Sequence, residues 1–137
     1  MARVLGLDPG TKRCGVAISD SARTMAFPRE ALTVDERLVE AIQHAVDDES
    51  VELVVVGRPL SLAGSPTAST ALADELFESL RTTLAPRDVV QFDERLTTVE
   101  ASRSLAGAGH RAREQRARID SAAAVVMLQS FLETRDA

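Results

Sequence analysis

The sequence predicts an α/β protein built on a mixed β-sheet, antiparallel in its first strands and parallel afterwards, with helices on both faces. Two apolar runs, 4–7 and 14–18, flank a Pro9-Gly10 pair that no helix interior would accept, which predicts a hairpin. The β-branched run 51–56 is typical of a strand buried on both faces and parallel to its neighbours. Segments with helical spacing of apolar residues separate the later strands and predict the covering helices.

Two further strands complete the predicted sheet. Residues 24–27 form a short third strand that Pro28 ends, and residues 89–92 form the last strand. The run 51–56 is expected in the middle of the sheet, because a strand without polar alternation needs cover on both faces.

Four helices are predicted from their start signals and apolar stripes. The start signals of the first three are the capping box Thr33 and Glu36, the cap and proline Ser65-Pro66, and the capping box Thr97 and Glu100. The first helix ends at the acidic residues 47–49, the second at Pro86, and the third near Leu105, before a mobile basic loop. The stripe of the second helix is Ala68, Leu72, Ala73, Leu76, Phe77, Leu80 and Leu84. The last helix, 119–132, carries a stripe of small residues: Ile119, Ala122, Ala123, Val126 and Ser130.

Composition indicates one cytoplasmic domain over residues 1–137. A chain of 137 residues with 45% hydrophobic residues can bury one core but is too short for two. No apolar run approaches the roughly 20 residues that cross a bilayer, and the first strand leaves no room for an export signal. The single cysteine, Cys14, is expected in the core and excludes a disulfide framework. Both histidines, His44 and His110, are expected at or near the surface.

Acidic residues stand at three comparable places in the predicted fold. Asp8 follows the first strand, Asp93 and Glu94 follow the last, and Asp120 begins the final helix. Parallel strands covered by helices deliver their C-terminal ends to one edge of the sheet, where such folds bind ligands. The first and last core strands are expected to be neighbours there, so these acids can converge. The alternative for each residue alone is a turn, a helix cap or a solvated surface position.

Crowded carboxylates favour a divalent cation between them. Without one they repel each other and their pKa values rise. Mg²⁺ or Mn²⁺ suits hard oxygen ligands, and two ions about 3.5–4 Å apart activate a water and stabilise the leaving oxygen of a phosphodiester. The sequence therefore predicts a phosphodiester hydrolase that uses two ions.

A basic segment near the C-terminus interrupts an acidic chain whose formal charge is -5. Only Glu114 opposes its five arginines, which are Arg103, Arg111, Arg113, Arg116 and Arg118. The segment is either a docking site for an anionic partner or a solvated charged stretch, and the sequence favours neither.

Four motifs also resemble the YqgF/RuvX family, whose fold is related to that of the RuvC Holliday-junction resolvases. They cover nearly the whole chain and are Gly6-Leu7-Asp8-Pro9-Gly10-Thr11-Lys12-Arg13 with Gly15-Val16-Ala17 and Ser19-Asp20, Val55-Val56-Gly57-Arg58-Pro59-Leu60, Asp93-Glu94-Arg95-Leu96-Thr97-Thr98, and Ile119-Asp120 with Ala122-Ala123 and Leu128-Gln129. The resemblance implies a ribonuclease H-like fold, a cytoplasmic location, and a nuclease that matures the 5′ end of pre-16S ribosomal RNA or resolves branched DNA. It also implies a catalytic, metal-binding triad of Asp8, Glu94 and Asp120. Because side chains alternate along a strand, Asp93 should face away if Glu94 faces the site.

The chain departs from the family pattern at two places. Leu62-Ala63-Gly64-Ser65 replaces a Met-Asp-Gly-Ser loop and so lacks its acid. The segment before Asp120 is arginine-rich where relatives have lysine, which preserves positive charge and allows bidentate phosphate contacts. The expected nucleic-acid contacts are Lys12, Arg13, Arg58, Arg95, Arg111, Arg113, Arg116 and Arg118. For Arg58 and Arg95, a structural ion pair with the acidic cluster is an equal alternative.

Two other classes of function compete with a nuclease. Asp8-Pro9-Gly10-Thr11 in a hairpin also resembles the phosphate loop of actin-like and sugar-kinase ATPases, but 137 residues cannot supply their second domain. A non-catalytic ribosome-assembly or nucleic-acid-binding factor would keep the fold without needing the acids. The sequence does not decide between RNA and DNA, nor between a monomer and the homodimer that paired cuts in a four-way junction require.

Overall fold

A computed structural model describes residues 2–97 and 112–135 of the chain, with side chains described for 2–97 and 121–134. Within these ranges the chain forms five strands, three α-helices and one 3₁₀ turn. In chain order they are β1 (Arg3–Pro9), β2 (Arg13–Ser19), β3 (Ala26–Thr33), α1 (Leu38–Asp48), β4 (Val51–Arg58), α2 (Ala68–Leu84), β5 (Asp88–Asp93), the 3₁₀ turn (Glu94–Leu96) and α3 (Ala112–Arg135). No helix among the described residues is long and apolar enough to cross a membrane.

The five strands form one mixed sheet in the order β3-β2-β1-β4-β5. β1 pairs with β2, and β2 with β3, in antiparallel register, whereas β1 with β4 and β4 with β5 are parallel. The predicted mixed sheet is therefore confirmed. β4 is an interior strand as its composition indicates, but β1 rather than β4 occupies the centre.

Each face of the sheet carries its own apolar core. One core lies under α1 and α2 and contains Leu7, Ile18, Ile42, Val56 and Leu80 among its buried side chains. The other lies under α3, where buried residues of β1, β2, β4 and β5 meet the helix. Helices thus cover both faces, as predicted, and side chains that alternate along β1 face α3 or the α1/α2 layer in turn. Cys14 is buried in the α1/α2 core, and burial raises the pKa of its thiol to about 12.

The third strand is longer than predicted and contains Pro28. β3 runs over Ala26–Thr33, and Pro28 pairs with Ala17 of β2 instead of ending the strand. β3 is an edge strand, where a residue without an N–H donor need not break a ladder on its open side. The prediction that Pro28 ends the strand is therefore wrong, because it did not consider that the strand lies at the edge of the sheet.

The first two helices begin later than their predicted caps. Thr33 belongs to β3, and α1 starts at Leu38 with no side-chain cap from Arg37. α2 is capped by Thr67, whose side chain forms a capping box with Thr70. The predicted Ser65-Pro66 start of α2 and the Thr33–Glu36 capping box are both wrong, because tertiary pairing claimed Thr33 and a better cap lay two residues after Ser65.

The stripe of α2 is partly as predicted. Ala73, Leu76, Leu80 and Leu84 are buried, whereas Leu72 is 36% exposed. The helix ends at Leu84, before Pro86, as predicted. His44 is exposed on α1, also as predicted.

The last helix differs most from its prediction. α3 starts at Ala112, so residues 112–118 are helical and not a loop, and its backbone leaves helical geometry at Ser121. Ala122 and Ala123 of the predicted stripe are exposed, while Ala124, Val125, Met127, Leu128, Phe131 and Leu132 are buried. The predicted stripe is partly wrong because it follows small residues, whereas the helix buries the face that carries most of its larger apolar side chains. The predicted helix after Thr97, most of the basic loop, and His110 lie outside the described residues.

Candidate active site

Asp8 lies at the C-terminal end of the central strand, on the face that α3 covers. It pairs with Gly15 of β2 and is half-buried. Gly6, two residues earlier on the same face, lies against α3: a Cβ placed on Gly6 would be 2.9 Å from the Cβ of Leu128. The Asp8 carboxyl group is therefore carried by a rigid strand and presented beside the helix, at the edge where the parallel strands end.

The carboxyl groups of Asp8 and Glu94 are close enough to interact, and protonated Glu94 can donate a hydrogen bond to Asp8. Glu94 begins the 3₁₀ turn directly after β5. The two acids meet although their strands are not neighbours, because β4 lies between β1 and β5. The expected adjacency of the first and last core strands is thus wrong, while Asp8 and Glu94 do converge.

Gly57 of β4 makes this convergence possible. Leu7 of β1 pairs with Val56 of β4, and Gly57 pairs with Phe92 of β5. Gly57 therefore lies across the sheet between Asp8, which follows Leu7, and the end of β5. A Cβ atom on Gly57 would lie 3.0 Å from Cδ and 3.2 Å from Cγ of Glu94, closer than ordinary packing allows. The Glu94 side chain therefore crosses over β4 through space that only glycine leaves open.

The proximity of the two acids changes the protonation of Glu94. Burial, the hydrogen bond that protonated Glu94 donates to Asp8, and the negative charges of Asp8 and Asp93 raise the pKa of the Glu94 carboxyl from 4.5 to about 8. Near neutral pH the pair thus holds a proton between its oxygens. A divalent cation would replace that proton, so the donor set fits a hard metal ion.

Asp93 faces a different environment from its neighbour Glu94. Its carboxylate accepts hydrogen bonds from the backbone N–H of Arg95 at 2.9 Å and from Nη2 of the same residue at 2.6 Å. These bonds hold the pKa of Asp93 below its ordinary value. Asp93 therefore caps the 3₁₀ turn and neutralises Arg95, whereas Glu94 points at Asp8.

Asp120 precedes the break in α3, and its side chain lies outside the described set. The next residue, Ser121, has φ −120° and ψ 18° and is buried. A Cβ atom on Gly15 would lie 3.5 Å from the Ser121 Cα and 3.6 Å from the Asp8 Cβ. The backbone beside Asp120 is thus close to Asp8. Among the side chains of 2–97 and 121–134, no group of three or more potential metal ligands is gathered.

The basic residues near this edge differ in their contacts. Arg58 donates from Nε to Asp74 of α2 at 2.9 Å, and Gln91 binds the same carboxylate at 2.7 Å. Arg95 pairs with Asp93 and packs on the loop before α2, because a Cβ on Gly64 would lie 2.8 Å from its Nη1. Ion pairs, the alternative expected for Arg58 and Arg95, are thus present at both.

The other predicted contact residues are exposed or lie outside the description. Lys12 and Arg13 are exposed, the first in the turn after β1 and the second at the start of β2. Arg113, Arg116 and Arg118 lie in the helical backbone of α3 without described side chains, and Arg111 lies outside the described residues. Their role in binding nucleic acid stays a prediction.

Several residues that shape the site were not identified as functional from the sequence. Gly15 and Gly57 make room for α3 and Glu94, Ser121 sets the break in α3, and Asp74 holds Arg58. A glycine inside an apolar strand is a signal for close approach and could have marked Gly15 and Gly57. Nothing local distinguishes Ser121 from other helix serines, because its partners lie about a hundred residues away.

Comparisons with known proteins agree with this architecture. The chain is 47% identical over 136 residues to a protein of Mycobacterium tuberculosis (strain ATCC 25618 / H37Rv), covering 97% of this chain and 79% of the relative. It is 37% identical over 134 residues to a protein of Chlorobaculum tepidum, covering 96% of this chain and 94% of the relative. Both relatives carry the name "Putative pre-16S rRNA nuclease".

Solved structures share the fold at low sequence identity. RuvC of T. thermophilus, in complex with a Holliday junction substrate, superposes with a TM-score of 0.64 at 13% identity, covering 99% of this chain and 96% of that one. The fowlpox virus Holliday junction resolvase gives a TM-score of 0.57 at 12% identity, covering 96% and 99%. These likenesses confirm the ribonuclease H-like fold.

A family model described as "RuvX: Holliday junction resolvase" matches residues 2–134. With this match over nearly the whole chain and relatives of 37% and 47% identity, the chain belongs to the RuvX family.

Proposed function

We propose that this protein is a divalent-metal-dependent nuclease that hydrolyses phosphodiester bonds at the 5′ end of pre-16S ribosomal RNA. The observation that carries the proposal is the Asp8–Glu94 pair, where two carboxyl groups meet at the end of the parallel strands. The names of the RuvX relatives support the choice of ribosomal RNA as substrate.

Asp8, Glu94 and Asp120 would hold the metal, which we take to be Mg²⁺ or Mn²⁺, with two ions in the working enzyme. Bound there, the ions supply an activated water and stabilise the leaving oxygen of the scissile phosphate. Asp8 provides a fixed carboxylate on β1, and Glu94 loses its shared proton when the site is loaded. Asp120 would close the site from α3, since the neighbouring Ser121 lies near Asp8.

Positive side chains around this edge would hold the nucleic-acid backbone. Lys12 and Arg13 are exposed beside Asp8, so they can reach phosphates on either side of the scissile bond. Arg58 and Arg95 keep donors beyond those used by Asp74 and Asp93, because a guanidinium carries five N–H groups. Arg111, Arg113, Arg116 and Arg118 are the remaining proposed contacts. We place the reaction in the cytoplasm, in one domain of residues 1–137.

Resolution of four-way DNA junctions is the second candidate, favoured by the description of the family model that matches residues 2–134. Both substrates offer the same phosphodiester to the same carboxylates. A resolvase needs two active sites for paired cuts, so a stable homodimer in solution would favour DNA junctions, and a monomer would favour RNA. A protein that binds RNA without cutting it would instead be an assembly factor.

The proposal is tested by incubating purified protein with a pre-16S transcript, an unstructured RNA strand and a four-way DNA junction, each with Mg²⁺, Mn²⁺ or EDTA. We expect metal-dependent cleavage of the precursor that Asp8→Asn abolishes. Asp88→Asn is the matched control, because Asp88 is exposed at the opposite end of β5 from Glu94. Equal cleavage by wild type and Asp8→Asn would discard the site, and preferential junction cleavage would replace RNA by DNA.

A further inference from the structure

Ser121 is an unusual residue for the interior of a helix. α3 spans Ala112–Arg135, and Ser121 alone is identified within it as having non-helical geometry, with φ −120° and ψ 18°. Its side chain is buried at 1% exposure. A buried serine at a helix break needs partners for its hydroxyl, and those partners show what the break does.

The Ser121 hydroxyl joins the helix to two strands at once. Oγ donates to the carbonyl of Arg29 in β3 at 2.8 Å and accepts from the N–H of Val16 in β2 at 3.0 Å. Val16 and Arg29 are partners across the two strands, at the place where the register shifts. The hydroxyl therefore bridges two paired backbone groups at an irregularity of the sheet.

This bridge fixes the backbone close to Asp8. Val16 follows Gly15, and Gly15 pairs with Asp8. A Cβ atom on Gly15 would lie within 3.6 Å of both the Ser121 Cα and the Asp8 Cβ, so little space separates the break from the acid. Consecutive Cα atoms are about 3.8 Å apart, which keeps Asp120 in the same neighbourhood.

We propose that Ser121 is a positioning residue that sets Asp120 at the cation site by bonding the break in α3 to β2 and β3. The inference rests on the proposed function, because it assigns Asp120 to the metal. It adds a requirement on a residue that touches neither metal nor substrate. Without the Ser121 bridge, α3 can regain helical geometry, and the backbone that carries Asp120 then moves relative to Asp8.

A purely structural role is the alternative, and Gln129 provides the comparison. This buried residue also bonds α3 to β3, since its Oε1 accepts from the N–H of Ala26 at 2.9 Å and its Nε2 donates to the carbonyl of Thr24 at 3.0 Å. Gln129 lies two turns beyond the break. Loss of either side chain removes two hydrogen bonds to the backbone, so both variants should destabilise the fold, but only Ser121 adjoins Asp120.

The experiment measures Mn²⁺ binding to full-length protein by electron paramagnetic resonance of free Mn²⁺, well below each variant's melting temperature. Ser121→Ala and Asp120→Asn are each expected to weaken binding about tenfold, whereas Gln129→Leu should stay within about twofold of wild type. The double variant Ser121→Ala/Asp120→Asn should bind no more weakly than Asp120→Asn alone, because the serine acts through the aspartate.

The outcomes separate this inference from the function on which it rests. Unchanged Mn²⁺ affinity in Ser121→Ala, additive losses in the double variant, or an equal loss in Gln129→Leu would each overturn the positioning role and leave the metal site in place. Wild-type affinity in Asp120→Asn, or no binding by wild type, would overturn both. If Ser121→Ala does not fold, Ser121→Cys retains the shape with a weaker hydrogen-bonding group and should give an intermediate loss.

Discussion

Asp93 and Glu94 are neighbours in the chain, yet their carboxyl groups have opposite electrostatic environments. The Asp93 carboxylate is bonded to Arg95, which lowers its pKa, whereas Glu94 meets Asp8 and its pKa rises to about 8. Arg58 and Asp74 form another neutralised pair at the same edge. Asp93 and Asp74 are thus each paired with an arginine, whereas Glu94 meets another acid. A site that will receive a cation is expected to look this way.

Replacing each of the two acids by its amide should give the largest difference in cleavage activity. Glu94→Gln is expected to reduce metal-dependent cleavage on the order of a thousandfold or more, because it removes a metal ligand from the reacting centre. Asp93→Asn should reduce cleavage less than tenfold, since its carboxylate serves Arg95. Single-turnover cleavage of the precursor RNA measures both. Comparable losses in the two variants would break the distinction between them.

Filling the space over Gly57 of β4 should cause the next largest loss of cleavage activity. In Gly57→Ala the new Cβ would lie 3.0 Å from the Glu94 Cδ and push that side chain away from Asp8. We expect cleavage to fall by about tenfold, because the contact is relieved when the catalytic carboxyl group of Glu94 moves by a few tenths of an ångström. Gly10→Ala is a poor control because its Cβ would meet the Arg13 carbonyl at 2.8 Å, so Ala71→Gly on the exposed face of α2 is preferable. Full activity in Gly57→Ala would show that Glu94 does not need this path.

The shared proton should make the metal-free protein less stable at higher pH. The folded protein keeps the Glu94 proton up to about pH 8, whereas the unfolded chain loses it near pH 4.5. The stabilisation is thus fully present below about pH 4.5 and is lost as pH rises through 8. With discount for partial solvation, the change is about 1–2 kcal/mol. Urea unfolding in EDTA at pH 5 and pH 8.5 measures it.

Glu94→Gln is the reference for this pH dependence. The variant cannot bind or release the proton, so its free energy of unfolding should change less between the two pH values than that of the wild type. A wild-type protein with the same pH dependence as Glu94→Gln would contradict the shared proton.

Loss of the Arg58–Asp74 ion pair, on the α2 side of the sheet, should have the smallest effect on stability and metal binding. Asp74→Asn removes the charge that Arg58 contacts, but both side chains are partly exposed, so the loss of stability should be about 1 kcal/mol or less. Mn²⁺ affinity should stay at the wild-type value, because Asp74 lies on α2 and not beside Asp8. A large loss of Mn²⁺ affinity in this variant would mean that the Arg58–Asp74 pair influences the metal site at Asp8 and Glu94.

Much of this arrangement could be predicted because it depends on local patterns. Asp8 and Glu94 stand where strands end, and turn residues and apolar runs locate strand ends well. The parallel character of β4 followed from its valine-rich apolar run, which lacks polar alternation. Strand order could not be obtained this way, so the sequence suggested that β1 and β5 touch when β4 separates them.

What could not be predicted depends on long-range contacts. α3 breaks at Ser121, whose hydroxyl bonds Val16 and Arg29 in distant strands, and no periodic pattern contains these contacts. The capping role of Thr33 was lost to its pairing with Arg13 across the sheet. The passage of Glu94 over Gly57 needs three strands in register, although a glycine after four apolar residues was visible as a mark of close approach.

Proton release on metal binding tests the central claim most directly. Calorimetric titration of Mg²⁺ into the protein at pH 7, repeated in buffers of different ionisation enthalpy, counts the protons released per bound site. Since Glu94 holds its proton up to about pH 8, wild type should release close to one proton when the cation binds, and Glu94→Gln should release almost none. Binding of Mg²⁺ without proton release in wild type, or no binding at all, would contradict a cation site built on the Asp8–Glu94 pair.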